Sequence, residues 1–399
     1  MSALSITPFY SFCRVKLYGQ EITGNKAILH ARPDKRFKPK CHKCKSVCDA
    51  PHSWEKRSIR DLDCGSVRIS VLCYYRKVMC ATCHRIHVEA IDFFEPCQRV
   101  SNRLARYIHE LCKMLTVQDV ARHLDLDWKT VKNIDKSFLE EEYCQTDYTD
   151  LTILAVDEIA VKKGHSYMTV VLDYLSGRVV WMAKERKAET LMKFFEGMTE
   201  DKLQKLTAIA MDMWDPYIKA VREKAPHVQI VFDLFHMVKE FNKVIDYVRL
   251  DEYRKASESD KKVIQGSKYL LLKNRENIQK PQQIEQLEQL LALNKTISQV
   301  MILKDKLKMI WTCTSRSEAE YLINEWCDLA DIVSNPHVEK FTNRIRRYSY
   351  GILNHCDHQI HTSILEGVNN KIKLIKRKAY GFHDQRYFSL KVIQAFSIN

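Results

Sequence analysis

The sequence contains no run of 18 or more uncharged apolar residues, the length that a membrane-crossing helix needs. Its first residues, Met1 to Tyr10, lack the basic segment and the long apolar segment that together mark a secretory signal. We therefore predict that the protein is neither exported nor inserted in a membrane, and we expect a cytoplasmic location. Disulfides are not expected among its 14 cysteines in that reducing compartment, so clustered cysteines indicate a metal site.

Internal repeats and low-complexity tracts are also missing. Because 45% of the residues are apolar and 29% are charged, the chain can bury cores, which excludes a largely disordered protein. Lys and Arg number 64 against 50 Asp and Glu, a net charge of +14. This surplus favours a polyanionic partner, and nucleic acid is the first candidate. Charge alone leaves open a basic protein without such a partner.

A chain of 399 residues is long enough for several domains, and its patterns change along its length. Cysteines and β-forming residues crowd into the first hundred residues, and a helical pattern follows. From Leu151 three strand-like segments precede alternating helices and strands, which is typical of an α/β sheet. Residues 239–347 are highly charged, helical in pattern and poor in Gly and Pro. We predict a β-rich domain (1–98), a helical domain (99–148), an α/β core in two parts (149–238 and 351–399) and a helical insertion (239–350).

Two Cys-x2-Cys pairs, Cys41 with Cys44 and Cys80 with Cys83, lie in the β-rich segment. Each pair can direct two thiolates at one tetrahedral cation, and four thiolates without an open position indicate a structural zinc site. The pattern therefore predicts a zinc ribbon; four reduced thiols in a small core are the alternative. Three nearby side chains are rival ligands: His42, Cys48 and His84.

Residues 117–136 have the apolar spacing of two short helices joined by a tight turn, a helix-turn-helix. Asp125 falls where the turn needs a left-handed residue, and Asp127 can cap the second helix. Cations and an amide suited to phosphates and base edges are predicted on the outer face of that helix: Lys129, Lys132, Asn133 and Lys136. Any amphipathic helical hairpin shares this pattern, but the neighbouring zinc ribbon and the basic charge favour DNA binding.

Two acids each follow an apolar, strand-like run: Asp157 after "ILAV" and Asp212 after "AIAM". We expect both carboxylates to emerge at the ends of buried strands. Near the C-terminus, Glu366 shares one predicted helix face with Asn370, Lys373 and Arg377. Three such acids beside a basic stripe suit metal-assisted phosphodiester chemistry, in which two cations activate the nucleophile and neutralise the leaving oxygen.

Each of these acids also has a plainer interpretation, since a strand-end Asp often caps a turn and a helical Glu among lysines often forms a surface ion pair. Spacing alone does not exclude four other carboxylates: Glu158, Asp173, Asp215 and Asp233. Asp233 is the most serious rival, because it also follows a strand-like run. Histidines at 355, 358 and 361 favour a polar approach to the Glu366 helix, for which a further metal site is the alternative.

Several segments closely resemble the transposases of the ISL3 insertion-sequence family: "VDEIAVKKGHSYMTVVLDYLSGRVV", "AMDMWDPYIKAVREKAP", "IVFDLFHMVKEFNKVID" and "LEGVNNKIKLIKRKAYGF". The likeness extends from the Cys-x2-Cys pairs through "RSIRDLD" almost to the C-terminus. It implies a zinc ribbon, a helix-turn-helix and a ribonuclease H-like α/β catalytic core interrupted by a helical insertion. The family's three catalytic acids match Asp157, Asp212 and Glu366.

The resemblance also implies an enzyme that binds the terminal inverted repeats of its element, cleaves a strand and joins the exposed 3′-hydroxyl to target DNA. Magnesium or manganese would be held by the three acids. From their helical spacing on the face of Glu366, we also expect Lys373 and Arg377 to contact the DNA backbone. We expect at least a dimer on DNA and association with a bacterial nucleoid. Two rival functions are a catalytically inactive DNA-binding regulator derived from a transposase and a nuclease that only hydrolyses DNA.

Overall fold

The computed structural model of the protein describes residue 10 and residues 12–96, 98–162, 166–232, 234–360 and 363–397. The chain forms two compact units, which divide between Glu142 and Tyr143. The predicted β-rich and helix-turn-helix segments both lie in the first unit, except for residues 143–148, which belong to the second. None of the helices in the described ranges has the length and apolar character that a membrane crossing requires.

The first unit is built on a five-stranded sheet of order β1-β2-β4-β3, in which β5 also pairs with β4. Its strands are β1 (Val15–Thr23), β2 (Lys26–Pro33), β3 (Pro51–Arg60), β4 (Arg68–Cys80) and β5 (Arg85–Val88). Only the β2–β4 pair is parallel among these strands. Alternate residues of β2 and β4, such as Leu29 and Val71, are buried against Phe93 and Phe94. Burial mostly alternates along β4 up to Cys80, as expected for a strand with one packed face.

Three helices complete the first unit: α1 (Asn102–Met114), α2 (Val117–Leu124) and α3 (Trp128–Glu142). Ser101 caps α1, because its hydroxyl accepts a hydrogen bond of 3.1 Å from the Leu104 N–H. The helices pack through a small core that includes Ile108, Val120 and Val131. Because this core takes one face of α3, the polar face of that helix is left exposed.

The second unit contains a five-stranded sheet of order β10-β9-β6-β7-β8. Its strands are β6 (Ile153–Lys162), β7 (Ser166–Asp173), β8 (Val179–Lys184), β9 (Ala208–Met211) and β10 (Gln229–Phe232). β6, β7 and β8 are antiparallel neighbours, whereas β6, β9 and β10 run parallel. Parallel strands need crossover connections, and helices α4 (Ala188–Glu196), α5 (Glu200–Gln204) and α6 (Asp215–Lys224) provide them. The predicted order of strands and helices is confirmed, with the short α5 as an addition.

The two faces of this sheet are covered by different helices. On one face, sheet residues such as Leu154 and Val156 pack with α4 and α6. On the other face, residues such as Ala155 and Ile159 pack with α14 (Ser363–Lys378) and α15 (Gln385–Phe396). Successive residues of a strand point to opposite faces, so Asp157 lies on the α14 side of β6 and Glu158 on the other.

A long helical region follows β10. It comprises α7 (Leu234–Lys255), α8 (Glu258–Ile264), α9 (Lys268–Leu272), α10 (Pro281–Leu293), α11 (Lys295–Ile310), α12 (Arg316–Asp331) and α13 (Pro336–Leu353). The helical character predicted here is confirmed, but α7 and α13 run without a break through the predicted boundaries at residues 238 and 350. Phe241 of α7 and Ile345 of α13 share one core with Phe232 of the sheet. Composition changes at these boundaries although the packing is continuous.

Candidate active site and nucleic-acid interface

The three acids predicted at the active site come from three separate elements. Asp157 lies in β6, Asp212 directly follows β9, and Glu366 is in the first turn of α14. β6 and β9 pair in parallel with Ala155 opposite Ala210, and each Asp comes two residues after its member of that pair. The two side chains therefore emerge at the same edge of the sheet.

The prediction that Asp157 ends its strand is wrong. β6 continues to Lys162, because it stays hydrogen-bonded to β7 with Asp157 opposite Val170 and Ile159 opposite Met168. What ends at Ala155 is the pairing with β9. Because β9 no longer pairs with β6 beyond Ala155, the side chain of Asp157 faces the cleft.

All three acids line one cleft of about 580 Å³, which we call the acid cleft. Glu366 is exposed, and Asp157 and Asp212 are partly buried. Asn370 and Lys373 of α14 line the same cleft, whereas Arg377, one turn further along, is exposed but is not part of its wall. The other face of α14 packs on the sheet, since Leu365, Val368 and Ile372 are buried.

Asp157 is held by two hydrogen bonds. The Glu158 N–H donates to one carboxylate oxygen at 2.7 Å, and the Asn369 side-chain amide donates to the other. Burial raises the pKa of Asp157, and the charge of Asp212 raises it further, while these hydrogen bonds and His236 oppose the shift. A carboxylate such as Asp157, whose ionisation is disfavoured, is a suitable ligand for a divalent cation, which stabilises its charged form.

The rival acids have other partners in the described residues. Arg186 donates to both carboxylate oxygens of Glu158, at 2.7 and 3.0 Å. Asp173 closes the β7–β8 turn by accepting from the Leu175 N–H at 3.2 Å and from the Ser176 hydroxyl. Asp215 accepts from Arg347 at 3.1 Å and from the Tyr348 hydroxyl at 2.7 Å. Asp233 lies outside the described residues.

Sequence reasoning missed several side chains of the acid cleft. His236 of α7 contacts the Asp212 carboxylate, and Asn369 bonds to Asp157. Arg186, Lys239 and Arg344 also line the cleft. Asn369 lies one turn after Glu366, and this spacing was the one available signal. These three cations belong to elements that are distant in sequence from the acids, so no local sequence pattern indicated that they lie near them.

The four predicted thiol ligands come together in the first unit. The sulfur atoms of Cys41, Cys44, Cys80 and Cys83 all lie within 4.8 Å of one another. The two Cys-x2-Cys pairs have the same turn. The N–H of Lys45 donates to the Cys41 carbonyl at 2.9 Å, and the N–H of His84 donates to the Cys80 carbonyl at 2.8 Å. This arrangement could hold a metal ion.

The rival thiol and imidazole ligands are not members of this group. Cys48 is buried beside it and donates to the Ser46 carbonyl at 3.8 Å, and the His42 ring contacts the Val88 carbonyl at 3.1 Å. Within the described ranges the four cysteines are the one cluster of three or more such ligands. The alternative metal site at histidines 355, 358 and 361 stays a hypothesis. His361 of that site lies outside the described residues.

Helices α2 and α3 have the geometry predicted for a helix-turn-helix. Asp125 ends α2 in the left-handed conformation, with φ 51° and ψ 53°. The Asp127 carboxylate accepts from the N–H groups of Lys129 and Thr130 at 2.9 and 3.2 Å, so it caps α3. Both expectations are confirmed, and they explain why the turn tolerates a residue other than Gly.

The four side chains predicted to contact DNA share one face of α3. Lys129 and Asn133 are exposed, and Lys132 and Lys136 are partly exposed. Lys136 also lies 3.8 Å from Glu140. This face offers the amide and ammonium donors that phosphates and base edges accept.

Comparison with known proteins matches both units. Residues 154–392 match a family model described as "Transposase" (DDE, ISL3 type), and residues 89–139 match one described as "Helix-turn-helix domain of transposase family ISL3". The chain is 36% identical over 362 residues to the transposase for insertion sequence element IS1001 of Bordetella parapertussis, covering 90% of this chain and 89% of that protein. It is 24% identical over 388 residues to the transposase for IS1557 of Mycobacterium tuberculosis, covering 90% and 86%.

Proposed function

Because this chain belongs to the ISL3 family of transposases, we propose that its acid cleft carries out metal-dependent cleavage and transfer of DNA strands. The observation that carries the proposal is that Asp157, Asp212 and Glu366, from three distant elements, line one cleft. A mixed sheet in which β6, β7 and β8 are antiparallel neighbours and β9 and β10 run parallel to β6, with helices on both faces, supports a ribonuclease H-like core.

Asp157, Asp212 and Glu366 would hold two magnesium or manganese ions, since carboxylate oxygens are the ligands that these hard cations prefer. When bound, such ions lower the pKa of water and neutralise charge on the reacting phosphodiester. Asn369 and the Glu158 N–H fix both oxygens of Asp157, while the contact from His236 orients Asp212. The three acids then need not act as general bases.

DNA would be held at two surfaces with different tasks. Lys373, on the wall of the acid cleft, and Arg377 on the same helix would contact the sugar-phosphate backbone near the reacting bond. The exposed face of α3, with Lys129, Lys132 and Asn133, would recognise the terminal inverted repeats. Lys136 completes that face.

We further propose that the four-cysteine cluster holds structural zinc, since four thiolates leave no open position for a substrate. We also propose at least a dimer on DNA, since the reaction involves two DNA ends and a target. The site of action would be the bacterial nucleoid in the cytoplasm.

The test uses labelled duplexes carrying the inverted repeats that flank the coding region. With magnesium or manganese, the full chain should cleave one strand at the repeat end. Asp157→Asn, Asp212→Asn and Glu366→Gln should each reduce cleavage by about a thousandfold or more, because cation binding supplies several kcal/mol to the transition state. End binding should persist, since α3 is unchanged.

Asp201→Asn is the matched control, because Asp201 is an exposed acid in α5 outside the acid cleft. Near-normal cleavage by any cleft variant removes that acid from the assignment. A wild-type chain that binds the repeats but cuts with neither metal would instead be a regulator, and one that cuts without joining products would be a nuclease.

A further inference from the structure

A second groove, of about 1040 Å³, adjoins the acid cleft and shares Arg186 and Trp214 with it. Its remaining walls are the start of α4, one face of α6 and Arg347 of α13. It lies on the side of β6 opposite α14, because Glu158, which binds Arg186, points to the face of the strand away from α14. DNA held along α14 would therefore leave this groove free.

Arg186 is a fixed cation where the cleft meets the groove. Its guanidinium lies 4.3 Å from the centroid of the Tyr167 ring and 4.6 Å from that of the Trp214 ring. The Trp214 indole N–H donates to the Arg186 carbonyl at 3.1 Å, and Glu158 accepts from the guanidinium. The side chain nevertheless stays about one third exposed, at 34%. A restrained, partly exposed arginine can bind a phosphate with little loss of side-chain entropy.

The groove is lined by charged side chains of both signs. Its cations are Arg186, Lys187, Lys219, Arg222 and Arg347, and its carboxylates are Glu189, Asp215 and Glu223. Lys219 and Arg222 are exposed and three residues apart, so they share one face of α6. Three of these cations are already paired, Arg347 with Asp215, Arg186 with Glu158 and Lys187 with Glu185. In the described part of the chain Lys219 and Arg222 form no ion pair, so these two exposed cations are available to a phosphate backbone.

Strand transfer brings two DNA segments to one set of acids. The 3′-oxygen of the cleaved end forms a bond to a target phosphorus and releases its proton. The target's own 3′-oxygen leaves that phosphorus and takes up a proton. One segment can lie along α14, but the second needs its own track to the same acids.

We propose that the groove between α4 and α6 binds the target duplex through its phosphates and delivers it past Arg186 to the acid cleft. This inference rests on the proposed function, because it assigns the second substrate of the same site. The groove and α14 then serve different DNA segments. Charge changes in the groove should affect joining without affecting cleavage of the end.

The first experiment compares wild type with Lys219→Glu/Arg222→Glu, using the labelled end duplex and a supercoiled plasmid of unrelated sequence as target. End cleavage should stay within about twofold of wild type, whereas joining of a pre-cleaved end to the plasmid should fall about tenfold or more, because two phosphate contacts become repulsive. Lys193→Glu/Lys205→Glu is the control, since both lysines are exposed and outside the two cavities. Unchanged joining, or equal loss of cleavage and joining, overturns the proposal.

A second measurement does not depend on catalysis. A photocrosslinking amino acid at position 219 should crosslink to the plasmid when the end duplex is already bound, and not to the end duplex itself. Crosslinking to the end duplex, or to no DNA, overturns the target assignment. If the wild-type chain neither cleaves nor joins DNA, the proposed function fails, while plasmid crosslinking still decides whether the groove binds DNA.

Discussion

The four cysteines of the first unit and the three acids of the second are both suited to cations, but they differ in burial and in sequence distance. Cys41 and Cys80 are fully buried, and each has its pair partner three residues away. Glu366 is exposed, and 209 positions separate residues 157 and 366 (366 − 157). A closed thiolate cluster stabilises a fold, whereas an open carboxylate cleft leaves room for a substrate.

Removing a ligand from the closed cluster should have the largest effect on folding. Cys41→Ser should lose the bound metal and unfold the first unit, because structural zinc contributes about 10 kcal/mol or more, as much as most domains have in total. Elemental analysis should find one zinc per wild-type chain, and limited proteolysis would report the unfolding. Cys64→Ser is the control, since Cys64 is exposed and outside the cluster. A folded first unit without metal would contradict this prediction.

Chelation should separate the two sites in the intact protein. Brief treatment with EDTA is expected to abolish strand cleavage while zinc stays bound, because the acid cleft is open to solvent and the thiolates are buried. Magnesium alone should then restore cleavage. Zinc release that parallels the loss of cleavage, with no recovery in magnesium, would show that the sites are not independent.

The two DNA-facing helices should differ in salt dependence. Lys373→Ala/Arg377→Ala should weaken DNA binding equally for all sequences and lower the salt slope by about 0.9 per lost phosphate contact. Lys132→Ala/Asn133→Ala should instead reduce the preference for the terminal repeats. Lys378→Ala is the control on α14, since Lys378 is exposed and outside the cleft wall. If the salt slope and the cleavage rate of the Lys373→Ala/Arg377→Ala variant are unchanged, these two side chains do not contact DNA.

The smallest expected effect is a gain in stability of the metal-free protein when Asp157 is replaced by Asn. Folding raises the pKa of this carboxyl above its ordinary 3.8, so the metal-free protein loses stability as the pH rises from about 4 through the raised pKa. At neutral pH Asp157→Asn should therefore raise the metal-free Tm by roughly 2 °C or more. Manganese should raise the Tm of wild type but not of the variant. A lower Tm for the metal-free variant would contradict the pKa argument.

Features that depend on neighbours in the chain were predictable from the sequence. The paired cysteines, the left-handed Asp125, the Asp127 cap and the alternating strands all depend on local hydrogen bonds or on periodicity. The family was also evident from its motifs. The choice of Asp157, Asp212 and Glu366 came from the sequence too, and it stays a prediction.

Tertiary structure alone decided which side chains meet those acids. That Asp157 lies within β6, that Asn369 bonds to it and that His236 contacts Asp212 depend on strand pairing and helix packing between distant segments. The same packing brings Arg186 between Tyr167 and Trp214, where the cleft meets the groove. Periodicity assigns a residue to the face of its own element, but it carries no information about the element that packs opposite.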